Sequence, residues 1–230
     1  MSRTFSPHAT DAAKALLQRL ADRAPVDEYR EAMRGLGREL GGIVAGMIGS
    51  MPALLICTNE DADFLAQGVL DGMAPTASAA LACFWNDRKR FASDLAPTLD
   101  VAPIVRRYVE PVERVEAFVV VKSVISSACV VRTNIAELAY VHDPQRILVV
   151  SPVMHSGARP GLEADLGPDL ARRLEYVWFA TDDEKKADGE VVPGIGGSVY
   201  ELLGIGTAET KNGYSPELVR RRRAMLPAGS

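Results

Sequence analysis

Three acids crowd the end of an apolar run: Glu60, Asp61 and Asp63 follow "ALLICT" within the stretch "NEDAD" at 59–63. A strand that ends on clustered carboxylates can supply a general base, hold Mg²⁺ or bind an amine. The same acids also suit the solvated first turn of a helix, where the dipole favours Asp61 or Asp63. A second stretch, "ILVVSPVMHSGA" at 147–158, carries an apolar strand into a turn of Pro, Ser, Gly and His. A hydroxyl and successive backbone N–H groups at a helix entrance can cradle phosphate. Ser151, His155, Ser156, Gly157 and Ala158 would form that cradle, with Arg159 adding charge-assisted bonds. An ordinary surface turn is the plain alternative. A third stretch, "PGIGG" at 193–197, would let the main chain of Gly194, Ile195, Gly196 and Gly197 approach a ligand closely, or would make a tight turn.

The elements around these stretches alternate between two periods. "TDAAKALLQRLAD" has helical spacing with Thr10 as its N-cap, and "VDEYREAMRGLGRELGGIVAGMI" is a second helix with Asp27 and Glu28 in its first turn. "ALLICTN" is a strand, "EDAD" an acidic turn and "FLAQGVLDGM" a short helix stopping at Gly72. "ASAALACFWN" is the next strand. "DRKRF" and "SDLAPTLDVAP" then make a polar, proline-marked connection. "IVRRYVEPVERVEAFVVVKSVI" reads as two strands around Glu110–Glu113, forming a hairpin arm. "NIAELAYVHDP" and "PDLARRL" are helices, while "RILVVSPV" and "EYVWFAT" are strands, the former an unbroken apolar run suited to burial on both faces. Strands alternating with helices predict an α/β fold: one doubly wound, mostly parallel sheet over residues 1–230. It would carry a protruding β-hairpin arm at about 85–125 and a C-terminal extension at 205–230. In that extension "NGYSPE" is a turn leading into a helix capped by Ser215, with Pro216 at its first position.

Of 230 residues, 47% are apolar, which is enough for a large core, and the net charge of −4 gives no bulk attraction for nucleic acid. The basic run Arg220–Arg223 is a solvated helix end or a contact for a phosphate or partner. Cys57, Cys83 and Cys129 are widely spaced in apolar surroundings and read as buried thiols. With His8, His142 and His155 scattered, no disulfide frame or histidine-rich metal cluster is expected. Residues 40–59 are uncharged, but their glycines and Pro52 divide them into a helix end, a turn and a strand rather than a membrane span. With no apolar core for a secretory signal in "MSRTFSPHATDAAK", the cytoplasm is the expected location.

Four blocks, in order over residues 29–204, resemble the uracil phosphoribosyltransferases of the type I phosphoribosyltransferase fold. "YREAMRGLGRELG" resembles their N-terminal helix and "LLICTNEDADFLAQGVLDGM" their pyrophosphate loop. "ILVVSPVMHSGA" resembles their ribose-phosphate loop and "VVPGIGGSVYELLG" their uracil loop. The resemblance implies that Glu60, Asp61 and Asp63 lie at the catalytic centre, that 151–159 hold phosphate, and that Gly194–Gly197 read a planar base through main-chain groups. It also implies a homodimer, a role supported by the apolar "VEAFVVVKSVI", which would otherwise expose a sheet edge. Mg²⁺ is the one cofactor the reading admits.

The departures from that family carry as much weight. Ser151 stands for an aspartate, Glu60-Asp61-Ala62 for Arg-Ala-Gly, and Gly197 and Tyr200 for two further aspartates, while Ser156-Gly157 conserves a Thr-Gly. Charge is lost where a departing diphosphate and an oxocarbenium-like centre need it. The expected function is therefore a divergent enzyme acting on a pyrimidine-like base or nucleotide, outside ordinary uracil salvage. The alternative is a non-catalytic nucleotide or metabolite sensor, or a partner protein, on the same fold. Its ligand would be a small molecule, with no nucleic acid and no membrane as partner.

Overall fold

The computed structural model describes residues 3–93, 96–207 and 209–226, with side chains described for all of these except 90–93 and 96–99. Residues 94–95 of the expected arm, and 208 and 227–230 of the expected extension, lie outside the described residues. The chain begins β1 (Arg3–Phe5), α1 (Asp11–Ala21), α2 (Val26–Ile48), β2 (Ala53–Thr58), α3 (Asn59–Asp61), a π-helical turn (Ala62–Ala66) and α4 (Gln67–Met73). It continues β3 (Ala79–Asn86), β4 (Lys89–Ser93), β5 (Ala96–Val101), β6 (Ile104–Val109), β7 (Ala117–Val121), β8 (Val124–Ile125), α5 (Cys129–His142) and β9 (Arg146–His155). It ends α6 (Ala158–Ala171), β10 (Leu174–Asp182), β11 (Glu184–Lys185), β12 (Val191–Val192), α7 (Val199–Leu202), a 3-10 turn (Lys211–Gly213) and α8 (Glu217–Met225).

The main sheet runs β1-β10-β9-β7-β2-β3-β6, with β8 paired to β9. β3, β2, β7, β9 and β10 are mutually parallel, and β1 and β6 close the two edges antiparallel. Counted along the chain, the parallel strands stand in the order 2-1-3-4-5, so the winding reverses between β2 and β7. Helices cover both faces, as the doubly wound expectation requires. Leu55, Cys57, Val119 and Val121 meet Leu17, Tyr29, Met33, Leu36 and Leu40 of α1 and α2. Leu54, Ile56, Val120 and Val149 point to the opposite face and meet Ile135 and Leu162 of α5 and α6. The period of two in each strand divides its apolar residues between the two cores.

Several local expectations hold. The Thr10 side chain accepts from Ala13 N at 3.0 Å, and α2 occupies 26–48. Among the described residues, no helix is long and apolar enough to cross a membrane. Other expectations are corrected. "EDAD" is not a turn, because β2 passes directly into α3, the π-helical turn and α4. The polar connection is itself a hairpin, with β4 paired antiparallel to β5 in a separate two-stranded sheet. The two strands of 104–125 do not pair with each other. β6 lies against β3, and β7 sits at the sheet centre between β2 and β9 with Ala117–Val121 all buried. "VEAFVVVKSVI" therefore offers no bare edge, which removes the edge argument for a dimer. "PDLARRL" is the second part of α6, beyond a break at Gly167 (φ 75°). α8 starts at Glu217 with Pro216 as N-cap, one residue later than the sequence pattern suggested.

α2 and α4 meet backbone to backbone. A Cβ on Gly37 would lie 2.4 Å from Leu65 O, and one on Gly41 would lie 2.2 Å from Val69 O. From the other side, a Cβ on Gly68 would lie 2.3 Å from Arg34 O, and one on Gly72 would lie 2.2 Å from Arg38 O. This contact sets how close the β2–α3–α4 segment comes to α2, and hence where the acids at the end of β2 sit. Gly41→Ala is expected to destabilise the fold by about 2–3 kcal/mol through overpacking. Gly42→Ala and Gly46→Ala, where a Cβ meets nothing within 4 Å, should instead stabilise it by about 0.5–1 kcal/mol through helix propensity. Urea midpoints at unchanged slope would check both signs.

Candidate functional site

In an open doubly wound sheet the crevice for a ligand lies beyond the carboxyl ends of the strands where the winding reverses. Here that point is the end of β2 beside the end of β7, and a cavity of about 410 Å³ opens there, with Glu60 and Lys122 in its wall. β2 delivers Thr58, Glu60 and Asp61, and β7 delivers Lys122 and Ser123. Lys122 Nζ donates to Asp61 Oδ2 at 2.8 Å and to Glu60 Oε1 at 3.2 Å. Asp61 also accepts from Thr58 Oγ1 at 2.6 Å and from Ser123 N at 3.1 Å. Glu60 accepts from the Tyr200 hydroxyl at 3.2 Å, and that hydroxyl accepts from Lys211 Nζ at 3.1 Å. Ser123 is fully buried, and its own hydroxyl has no partner among the described residues.

Charge balance explains the protonation states. Burial works against the Lys122 ammonium, but Asp61 and Glu60 outweigh it and raise the pKa above the ordinary lysine value. Burial likewise works to raise the Glu60 pKa, yet Lys122 and the backbone hold it below the ordinary carboxylate range. Burial and the charge of Glu60 push the Tyr200 phenol up, so it stays a neutral donor.

Of the three acids singled out in the sequence, the fold brings Glu60 and Asp61 together and sends Asp63 elsewhere. Asp63 accepts from the Tyr214 hydroxyl, from Glu217 N at 2.9 Å and from Leu218 N at 2.7 Å, so it caps α8 and does not line the crevice. The set does not fit Mg²⁺. Glu60 Oε1 and both oxygens of Asp61 already accept from an ammonium, two hydroxyls and an amide N–H, and no metal-sized cluster of acids, His or Cys occurs among the described residues.

The expected phosphate cradle at 151–159 is also corrected. Ser151 is fully buried within β9, and its hydroxyl donates to Val153 O at 2.7 Å. β9 stays in register with β10 as far as His155↔Asp182, so the strand outruns the predicted loop. Ser156 N donates to Asp182 O at 3.1 Å and Gly157 N to His155 Nδ1 at 3.1 Å, which commits two of the N–H groups an anion would need. Ala158 is buried, and Arg159 pairs with Glu163 at 2.8 Å and lies over the Tyr176 ring. None of these residues lines the crevice.

The turn that does face it lies one strand away, between β8 and α5. Ser126 and Ser127 line the cavity just before the N-terminus of α5, and Val130 and Val131 of its first turn follow. Arg88 lines the wall too, paired with Asp100 at 3.0 Å. The sequence carries a signal for this turn as well. "FVVVKSVISSAC" has the same order of apolar strand, polar residues and small hydroxyls before an apolar helix. A lysine inside a run buried on both faces demands a buried counter-charge, and Glu60 and Asp61 supply it.

The glycine loop is at the site but its groups are spoken for. Gly194 and Gly196 have φ of 54° and 88°, and a Cβ on either would lie 2.2 Å from Val191 O or 2.3 Å from Leu20 O. Gly194 O accepts from Arg3 at 2.6 Å, Ile195 O from the Tyr29 hydroxyl at 2.8 Å and Gly196 O from Arg23 at 2.6 Å. Gly194 N donates to the fully buried Asp182 at 2.9 Å. The main-chain carbonyls of 194–196 expected to read a base are thus tied to β1, to the α1–α2 connection and to α2, while Ile195 and Gly197 still line the cavity.

No family model matches the chain, and no curated protein matches it. Among solved structures it is similar to a hypothetical protein from Neisseria gonorrhoeae with bound ppGpp, at 14% identity and TM-score 0.44, over 67% of this chain and 81% of that one. It is similar to a hypoxanthine phosphoribosyltransferase from Staphylococcus aureus at 8% identity and TM-score 0.41, over 68% and 76% of the two chains. A hypoxanthine phosphoribosyltransferase from Trypanosoma cruzi, complexed with IMP, gives 11% identity and TM-score 0.40, over 68% and 75%.

Lys122→Met should cost about 3–5 kcal/mol at neutral pH, because two buried carboxylates lose their counter-charge. In the wild type, Glu60 contributes stability that is present at neutral pH and lost as pH falls through its lowered pKa. In the variant burial favours the neutral acid, so acidification toward about pH 4 should restore part of the loss. Denaturant curves at both pH values would show the two proteins moving in opposite directions.

Proposed function

We propose that the crevice binds a phosphorylated small molecule of the nucleotide class, with a phosphate against Ser126, Ser127 and the start of α5, and that the chain does not transfer a phosphoribosyl group. The observation that carries this reading is the Lys122–Glu60–Asp61 network. Transfer from phosphoribosyl diphosphate needs uncommitted positive charge where the diphosphate departs. At the end of β2 there are two carboxylates instead, and the ammonium beside them is bonded to both. Like charges at such range repel a diphosphate by several kcal/mol in a partly buried cleft. The hydroxyls and helix entrance at 126–129 lie across the cavity and suit a phosphate without a metal ion.

A second reading, a divergent enzyme acting on a pyrimidine-like base or nucleotide, is favoured by one feature. The hydrogen-bonded series Lys211–Tyr200–Glu60 along the cavity wall could carry a proton. Assembly as a homodimer is carried into both readings by the family resemblance, and a sedimentation-equilibrium mass of one chain would remove it.

Thermal shift with UMP, IMP, GDP, ppGpp (which the Neisseria protein holds), uridine, uracil and phosphoribosyl diphosphate, each with Mg²⁺ and with a chelator, tests the reading. Phosphorylated nucleotides should raise the melting temperature equally in both conditions, by about 2.7 kcal/mol of stabilisation at a hundredfold excess over Kd. Uridine and uracil should not. Ser127→Asp should weaken the response at least about tenfold by placing a carboxylate at the phosphate. Formation of UMP from uracil, phosphoribosyl diphosphate and Mg²⁺ would overturn the proposal.

A further inference from the structure

Lys211 stands apart from the other cations of the crevice. Lys122 is held by Glu60 and Asp61, and Arg88 is held by Asp100. The half-buried Lys211 ammonium donates to the Tyr200 hydroxyl, and no carboxylate pairs with it among the described residues. Burial, with Lys122 and Arg88 nearby, lowers its pKa, although Glu60 and Asp87 act in the opposite sense. A cation with charge to spare therefore faces the cavity.

Its place depends on contacts made far from it in sequence. The carbonyl of Lys211 accepts from Asn59 Nδ2 at 2.8 Å, and the carbonyl of Tyr214 accepts from Trp85 Nε1 at 2.8 Å. Asp63 then fixes the following helix by accepting from the Tyr214 hydroxyl and from Glu217 N and Leu218 N, with Leu218 and Val219 buried in the core. Asp63 itself does not line the cavity.

We propose that the segment from Lys211 to Met225 is a clasp that supplies Lys211 to the crevice as a binding residue for an anionic ligand group, and that Asp63 positions it by capping α8. The anionic role rests on the reading of the crevice as a site for a phosphorylated ligand. The placement of Lys211 by Asp63 does not. A charge-assisted bond from Lys211 to a phosphate oxygen would replace its present bond to a phenol with a stronger one.

Two measurements on the full chain test this. In titrations with inorganic phosphate, Lys211→Ala should weaken binding about tenfold, as loss of a hydrogen bond to a charged group does. Asp63→Ala should weaken it by a similar factor, and the double variant should bind no more weakly than Lys211→Ala alone. Additive losses would mean that Asp63 does not act through Lys211 and would overturn the positioning role. In the second measurement, acetic anhydride labelling read by mass spectrometry needs no ligand. Lys211 should label several-fold more in Asp63→Ala than in the wild type, with Lys122 unchanged as the internal control. Asp63→Asn, a milder change that guards against misfolding, should give the same sign. Unchanged labelling of Lys211 in both Asp63 variants would overturn the clasp. Wild-type affinity for inorganic phosphate retained in Lys211→Ala would overturn the binding role while leaving the crevice reading intact. A wild type that binds no inorganic phosphate would overturn the crevice reading and the anionic role with it, whatever the labelling shows.

Discussion

An ammonium buried between two carboxylates at the seam of β2 and β7 governs the arrangement of this crevice. The side chains of Lys122, Glu60 and Asp61 are 13%, 7% and 1% exposed, so none of the three charges can rely on water. Ions taken this far from solvent persist only when geometry and further hydrogen bonds compensate the lost hydration. Thr58, Ser123 N and Tyr200 provide those bonds. The network therefore joins the ends of two central strands to α7, and through Tyr200 to Lys211. It also commits both oxygens of Asp61 and one of Glu60 to holding the walls.

Two more carboxylates do related work along the same edge of the sheet. Asp182, at the end of β10, is fully buried and grips Arg3 of β1 together with the amide of Gly194. The glycine loop is thereby seated on the α1–α2 connection and α2, which contribute Arg23 and Tyr29 to its carbonyls. Asp63 does the same for the C-terminal helix. The rim is thus assembled from segments spread between residues 3 and 218, each tied down by an acid at the carboxyl edge of the sheet. An ion pair or cap with partners more than 100 residues apart has no local sequence signature, since any acid and any donor could be joined.

The loops near the site were visible as compositions, but their orientation was not. "HSGA" and "SSAC" both follow apolar strands and both precede helices, so local chemistry does not rank them. What separates them is strand order. The turn after β8 opens at the reversal between β2 and β7, whereas the turn after β9 is closed by the amide bonds of Ser156 and Gly157. The same limit explains the mistaken hairpin at 104–125. Two apolar strands close in sequence look like partners, yet β6 pairs with β3 and β7 with β2 and β9.

By itself the sequence determined the elements whose signal is local. The spacing of Tyr29, Met33, Leu36 and Leu40 makes α2 amphipathic, the Thr10 hydroxyl starts α1, and the unbroken apolar runs of β2 and β9 require cover on both faces and hence a doubly wound sheet. Periodicity reports how a segment meets a core, not which segment meets it. Only the tertiary structure decided that Lys122 would sit between Glu60 and Asp61, that Asp63 would turn away to cap α8, and that Lys211 would line the cavity. Each of those outcomes depends on a charge finding its partner across the fold, where burial makes the pairing strong and chain distance makes it unreadable.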